Sequence, residues 1–593
     1  MKRVREERQQ LKSRVPRLQL LLAAVLIIIV SAYWRVQVVG GDYYRGLADN
    51  NRLRRVPIKA ARGLIYDREG RLLVDNVPSY NLLLDRSRSA DVARALDFAA
   101  RILGREPAEL EAALERQANR SRFEPALIAE RLSLADVARI GVAELEYPEF
   151  EIDVEHLRLY RHGPLTAHVL GYLGEATAAD LARAPGQYRA GDLVGRKGVE
   201  RVFDQRLRGR DGERELVVDS RGRTRDEHGR RASSSGQSLQ LTLDLELQQE
   251  AARYLEGRAG SAVALDPRTG EVLMLVSAPS YNPNLFTRRL NNEQWRELLE
   301  APHQPLQNRT IQNAHAPGSI FKVVMAVAGL SERAVSETDS VFCSGSTKIY
   351  NRRTRCWRRS GHGWVNLRKA IKESCDIYFY QLGQKLGINR IAHYARLFGL
   401  GRPTGFDIPG EKAGLIPDTQ WSLTHRGSPW YPGETVSVAI GQGPILVTPL
   451  QVAGMVAAIA NGGRLVTPRV ASLSHRSVSE PIDVAPEVLR VVREAMWAVV
   501  AEEHGTGRSV RLPYVEIAGK TGTVQVVEQK TWTRNEDLPE EHRDHAWFVS
   551  FAPVENPELV VVALVEHGGH GSTAAAPLVK LIYETYFRQP DAS

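Results

Sequence analysis

Ser319, Lys322, Ser374, Asp376 and Lys520 are the residues of this 593-residue chain whose types and order could do chemistry. Ser319-Ile320-Phe321-Lys322 sets a hydroxyl and an amine three residues apart, and Ser374-Cys375-Asp376 follows. Lys520-Thr521-Gly522-Thr523 stands 201 residues after Ser319. A serine beside an amine that takes its proton is an activated nucleophile. A second serine can pass protons on, and a strand edge carrying a lysine can receive an acyl donor; the three together suit serine acyl transfer. With 13 lysines among 79 basic residues, about one Ser-x-x-Lys arises by accident, so the weight rests on the combination and its order.

The elements that must position these groups are legible nearby. Ala316-Pro317-Gly318 is a turn that delivers Ser319 to an apolar run, Ile320 to Ala328, interrupted by Lys322. Such a helix, apolar all round, belongs in the protein centre. Residues three apart share a helix face, which places the Lys322 amine beside the Ser319 hydroxyl. Apolar burial, with a second ammonium at Lys520 nearby, is expected to push Lys322 toward its neutral, proton-accepting form. The plain alternative makes Ser319 an N-cap and sends Lys322 to the surface. Ser374 and Asp376 precede a helical stretch that stops near Gly387, so capping is their plain alternative; their chemical roles are a proton relay and a lysine partner. Lys520 lies in an extended segment, 515–526, with small residues at its closest approach, as an acceptor strand for a peptide requires. The Ser319 and Thr523 backbone N–H groups are then placed to form an oxyanion hole.

These motifs resemble the transpeptidase domain of class B penicillin-binding proteins. The likeness extends through Arg62-Gly63-Leu64-Ile65-Tyr66-Asp67-Arg68-Glu69-Gly70, His168-Val169-Leu170-Gly171-Tyr172, Gly195-Arg196-Lys197-Gly198-Val199-Glu200, Gly441-Gln442-Gly443 and Asp544-His545-Ala546-Trp547-Phe548. The superfamily's usual Asn at the third position of the second motif is Asp376 here, and an Asp cannot donate an amide hydrogen bond. That departure is shared by the elongation-specific, monofunctional subgroup and points away from septal enzymes. The resemblance implies a peptidoglycan D,D-transpeptidase of cell elongation that acts through a Ser319 acyl-enzyme and is inhibited by β-lactams. Lys520, Thr521, Gly522 and Thr523 would bind the donor stem peptide, and no cofactor is required for the chemistry. It also implies a SEDS-family (RodA-type) glycosyltransferase and an MreC-type scaffold as partners. A septal class B transpeptidase and a non-catalytic β-lactam-binding or structural activator are the alternatives; a β-lactam sensor needs a cytoplasmic signalling portion, for which 17 residues leave little room. A soluble β-lactamase fits neither the anchor nor the long segment before the motifs.

Composition, at 43% apolar and 25% charged, is that of ordinary globular domains, and the net charge of +9 comes without the aromatic and basic interleaving of nucleic-acid binders. The front differs. Residues 1–17 carry seven basic side chains, and 18–34 contain no charge. With the residues to Val39 the apolar stretch spans a bilayer, and the basic flank sets the N-terminus in the cytoplasm. A cleaved signal peptide is the competing reading, but no convincing small-x-small cleavage site follows. The expected location is the inner membrane, single-pass, with the catalytic part periplasmic.

Cys343, Cys356 and Cys375 fall within 33 residues, with His362 among them. A Cys343–Cys356 disulfide suits an oxidising periplasm. A Cys3His zinc site would instead staple the loop before Ser374, although spacings of 12, 5 and 12 are not a common finger pattern. Both readings stand on the sequence.

The expected fold is α+β: a penicillin-binding/serine β-lactamase-like transpeptidase domain, its antiparallel sheet packed by helices, preceded by a transmembrane helix and an elongated pedestal. The expected divisions are a cytoplasmic tail 1–17, an anchor 18–39, a pedestal of dimerisation type 40–235, a transpeptidase domain 236–588 and a tail 589–593. Within them, 221–237 reads as a linker, 261–277 as a hairpin, and strands are expected near 515–526, 546–552 and 559–566 before a helix over 574–587. The N-terminal half shows no glycosyltransferase segment with paired carboxylates, so a monofunctional enzyme is expected.

Overall fold

The computed structural model describes residues 2–44, 53–117, 124–189, 191–219, 224–287, 290–472, 479–527 and 535–588. The 589–593 tail and 220–223 lie outside the described residues, as do the side chains of 2–14 and 17 in the basic tail. The chain forms two compact units.

The first unit comprises Met1–Ala61, Val77–Leu157 and Gly209–Ser235. Its helix Lys2–Trp34 holds most of the stretch Leu18–Val39, which has a mean hydropathy of 2.0, none of it buried. The helix Val92–Leu103 starts where the Asp91 carboxylate accepts the Arg94 N–H and stops at Gly104, which adopts a left-handed φ of 61°. Its apolar stripe, Ala95, Leu96, Ala99 and Ala100, packs with Leu82, Leu84 and Ile128. The stretch read as a linker departs from that reading. Thr224–Arg231 is a strand, antiparallel to Gly212–Val218, which also pairs with Leu53–Ile58. Its polar composition suits an exposed ribbon held by backbone hydrogen bonds and cross-strand charge, with Arg231 3.5 Å from Glu213.

The second unit comprises Arg62–Asn76, Arg158–Arg208 and Gly236–Ser593. Two of the stretches that resemble family segments meet here in a buried ion network. Glu200 receives Arg158 Nε at 2.7 Å and Arg62 Nη2 at 2.8 Å, while Arg62 also reaches Asp204 at 2.9 Å. Burial would raise the Glu200 pKa, but Arg158 and Arg62 hold it below the ordinary carboxylate value.

The remainder of this unit is an antiparallel sheet between helices, the α+β arrangement expected. In chain order its principal elements are α1 (Leu245–Tyr254), β1 (Gly260–Leu265), β2 (Val272–Ala278), α2 (Lys322–Ser331), α3 (Asp376–Leu397), α4 (Pro449–Ala460), α5 (Pro486–Ala501), β3 (Ala518–Val524), β4 (His545–Ala552), β5 (Leu559–Val565) and α6 (Ala576–Tyr586). The strands lie in the order β2-β1-β5-β4-β3, so elements from the two ends of the unit share one sheet and β3 is an outer strand. Alternate residues face opposite ways, as the strand period of two requires. Val263, Leu265, Val560, Val562 and Leu564 enter the core with α2, α4 and α5, while Ala262, Ala264, Val561 and Ala563 pack with α1 and α6. The sheet is thus covered on both faces, and all seven residues of β5 are buried.

Because Glu200 is the shared anion of two buried arginines, Glu200→Ala leaves both without it. A loss of about 3–5 kcal/mol is expected, read as a lower urea midpoint with unchanged slope; a midpoint equal to the parent's would refute the network's role in stability.

Candidate active site

The turn that carries Ser319 is tighter than the α-helical start expected. Gly318–Phe321 forms a 3-10 turn and α2 begins only at Lys322. In a 3-10 turn residues three apart eclipse one another, which brings the side-chain stems of Ser319 and Lys322 to one side. Gly318, at φ 56°, donates its N–H to the Gly441 carbonyl at 2.9 Å. A Cβ on Gly441 would stand 2.1 Å from the Gly318 oxygen, so the 441–443 loop closes on the nucleophile turn only because it is glycine. Ser319 is half-buried and Lys322 fully buried.

Lys322 does not snorkel. Its amine donates to Asp376 Oδ1 at 2.6 Å, to the Ser374 carbonyl at 2.9 Å and to Ser374 Oγ at 3.2 Å. Lys520, also fully buried, donates to Ser374 Oγ at 3.0 Å and to the Thr521 carbonyl at 3.0 Å. The Ser374 hydroxyl therefore accepts from two lysines and keeps its own proton to donate. Among the described residues no hydrogen bond joins Ser319 Oγ to Lys322.

The lowered pKa expected of a buried lysine is found at Lys520. Lys322 forms an ion pair with Asp376, whereas Lys520 is the amine pushed well below the ordinary lysine range. Burial does most of this, the Lys322 charge adds to it, and Asp376 opposes it. Burial also raises the Asp376 pKa, against the pull of Lys322.

Ser374 and Asp376 are not N-caps; Cys375 occupies that position of α3 without a side-chain cap. Ser374 instead ends the preceding helix, Leu367–Lys372. Its N–H reaches the Ile371 carbonyl and that of Cys375 reaches Ala370, the double closure of a Schellman motif. The position between them takes a left-handed conformation and is usually glycine, yet here Ser374 adopts φ 57°. That conformation costs a non-glycine residue on the order of 1 kcal/mol or more, and it aims the hydroxyl between the two lysines.

Cys343, Cys356, His362 and Cys375 converge, with all four ligand atoms within 4.8 Å of one another and all four residues buried. The three thiols are free, so the Cys343–Cys356 disulfide is not formed. His362 Nδ1 lies 3.5 Å from Cys343 Sγ and 3.6 Å from Cys356 Sγ. A tetrahedral ion with metal–sulfur bonds of about 2.3 Å and a metal–nitrogen bond of about 2.0 Å has sulfur–nitrogen edges of about 3.5 Å, so this donor set fits one. The Cys356 thiol is drawn toward thiolate by a hydrogen bond from Cys375, which in turn holds its proton more tightly.

Sequence reasoning missed Trp357 and Thr506. The Trp357 backbone N–H donates to Asp376 Oδ2 at 2.8 Å, and its indole donates to the Glu373 and Ser374 carbonyls, both at 3.1 Å. Trp357 adjoins Cys356, so one loop joins the cysteine cluster to the Asp376 carboxylate; that adjacency was the one available signal. Thr521 Oγ1 lies 2.9 Å from Thr506 Oγ1. Gln442 donates to the Thr523 carbonyl at 3.2 Å and so ties the 441–443 loop to β3.

A lysine whose ammonium is disfavoured in the folded chain makes the unfolded chain bind more protons between its folded pKa and about 10.4. Stability therefore rises with pH toward that value, and Lys520→Met flattens the rise. Urea midpoints of parent and variant at about pH 7 and about pH 9 check this; parallel changes in the two proteins would count against it.

Residues 260–584 match the penicillin-binding protein transpeptidase domain family, and 57–241 match the penicillin-binding protein dimerisation domain. The peptidoglycan D,D-transpeptidase MrdA of Acinetobacter baumannii is 35% identical, over 98% of this chain and 89% of its own. A solved complex of penicillin-binding protein 2 with MreC from Helicobacter pylori gives a TM-score of 0.81 at 29% identity, over 90% of this chain and 98% of that one. A solved peptidoglycan synthase complex that coordinates polymerization and crosslinking gives 0.73 at 32%, over 98% and 99%. With the transpeptidase match covering more than half of its length, the chain belongs to the penicillin-binding protein transpeptidase family.

Proposed function

We propose that the chain is a peptidoglycan D,D-transpeptidase of cell elongation in which Ser319 forms the acyl-enzyme, and that Ser374 couples the two lysines that move its proton. The observation that carries this is the Ser374 hydroxyl, 3.2 Å from the Lys322 amine and 3.0 Å from the Lys520 amine. Ser319 Oγ attacks the carbonyl of the D-Ala-D-Ala bond and gives its proton to Lys322 as Lys322 passes one to Ser374 and Ser374 passes one to Lys520. The Lys520 amine can take it because burial has disfavoured its ammonium. The return path through Ser374 protonates the departing D-Ala nitrogen, and the peptide C–N bond breaks. The amine of a second stem peptide then attacks the ester, the C–O bond to Ser319 breaks, and the proton the amine loses passes back through the same groups to Ser319 Oγ. Asp376 accepts from the Lys322 amine at 2.6 Å and orients it between transfers as its counter-ion, a task that its carboxylate performs and an amide could not. The Ser319 and Thr523 backbone N–H groups stabilise the oxyanion, and Lys520, Thr521, Gly522 and Thr523 hold the donor's end. β-Lactams acylate Ser319 because they present a strained carbonyl in place of the donor amide.

Cys343, Cys356, His362 and Cys375 hold a structural zinc, which contributes rigidity to the loop bearing Trp357 and to the start of α3. The chain is anchored by Leu18–Val39, with 1–17 in the cytoplasm, 40–235 as a pedestal and 236–588 as the catalytic domain in the periplasm. An MreC-type scaffold and a SEDS-family glycosyltransferase are its partners, a reading supported by the two solved complexes it resembles.

Labelling with a fluorescent penicillin, read by intact mass, is expected to give one adduct on the parent chain and none on Ser319→Ala. An unlabelled parent that is folded would sink the acyl-enzyme reading. Metal analysis of the full chain, purified without chelator, is expected to find about one zinc per chain with all three thiols titratable after unfolding. No zinc, with two of the cysteines oxidised, would return the cluster to a disulfide.

A further inference from the structure

We propose that Thr506 is a positioning residue for carboxylate recognition: it holds the Thr521 hydroxyl in the orientation from which Thr521 donates to the terminal carboxylate of a D,D-peptide or β-lactam. This rests on the transpeptidase reading above.

The turn carrying Thr506 is fixed from both sides. Its N–H donates to the Lys372 carbonyl at 3.3 Å, two residues before Ser374, and the Gly507 N–H donates to Val499 in the last turn of α5 at 3.0 Å. A Cβ on Gly505 would stand 2.3 Å from the Val499 oxygen, so the turn lies flat on the helix end. Glu502, just before it, accepts from Arg368 at 2.5 Å and Lys372 at 3.2 Å. Thr506 therefore presents its hydroxyl to β3 from a braced loop.

A hydroxyl has one proton to give and two lone pairs. With no ligand, Thr521 gives its proton to Thr506 across 2.9 Å, and Thr506 makes only a long contact of 3.4 Å to the Lys372 carbonyl. An anion beside β3 takes the Thr521 proton. Thr506 then rotates its own proton from Lys372 to Thr521, so that every lone pair and donor stays matched. No heavy atom moves. Without the Thr506 hydroxyl, Thr521, which is 8% exposed, loses the partner that steers its proton outward.

The test uses the full chain and its Thr506→Val and Thr506→Ser variants, acylated by benzylpenicillin or its methyl ester over a concentration series and followed by intact mass. For the acid, Thr506→Val is expected to raise the half-saturating concentration about tenfold with the limiting rate kept. Thr506→Ser is expected to match the parent, and the ester to react alike with all three. Thr506→Ala repeats the test where valine does not pack. Equal losses for acid and ester, or a hydroxyl-free variant that binds the acid like the parent, would overturn the inference. A folded parent that neither compound acylates would overturn the function beneath it, and this inference with it.

Discussion

Two lysine amines and one carboxylate share a fully buried site, and the rest of the catalytic unit answers to that constraint. An unpaired buried ammonium costs several kcal/mol, and two side by side cost more. Asp376 compensates one, through its 2.6 Å bond to Lys322; the other is relieved because Lys520 gives up its charge more readily. The outcome is an asymmetric pair, one amine paired with a carboxylate and one amine with a depressed pKa, joined by a serine hydroxyl. A hydroxyl within hydrogen-bond reach of both amines offers a path along which a proton can pass between them. Stability alone would favour apolar residues at both positions, so retention of both lysines is intelligible only through chemistry.

Keeping that asymmetry depends on backbone rather than on side-chain choice alone. Ser374 occupies the left-handed position of a Schellman closure, and Asp376 opens the helix that follows, so one short corner supplies both the hydroxyl between the lysines and the counter-ion. The corner is held from three directions. The core covers the apolar face of α3, Trp357 donates to three of its acceptors, and Cys375 lies within the cluster of Cys343, Cys356 and His362. A strained serine persists only where its surroundings over-determine it. The cysteine cluster thus acts on the chemistry through the loop it shares with Trp357, without touching the reacting atoms.

The three chemical motifs were legible because each is a contiguous string whose spacing maps onto one turn or one strand. The sheet was legible from its period, since 261–277 and the strands near 546–552 and 559–566 alternate or run apolar between turn residues. What remained hidden depends on residues far apart in sequence. Which lysine is paired is decided by a carboxylate 54 positions from Lys322, and a sequence does not say which amine that carboxylate will meet. Thr506 and Trp357 carry no motif; each matters through hydrogen bonds to motif residues. The strand Thr224–Arg231 was hidden for another reason, because a ribbon stabilised by backbone pairing and charge has no apolar face to advertise it.

The outer position of β3 follows from the same chemistry. A peptide donor that pairs with a strand needs an unpaired edge, and open edges are a liability that folds normally cover. Here the edge is bounded by the nucleophile turn, which approaches so closely that a Cβ on Gly318 would stand 2.7 Å from the Thr523 oxygen. The 441–443 loop locks the approach from the other side, with Gly441 receiving the Gly318 N–H and Gln442 bonded to the Thr523 carbonyl. The backbone segments that carry Ser319 and Thr523 are thereby fixed to each other through a third. Displacements of about 1 Å cost an enzyme roughly a hundredfold in rate, and the close glycine contacts fix the distance from the Ser319 turn to the strand to within such a margin.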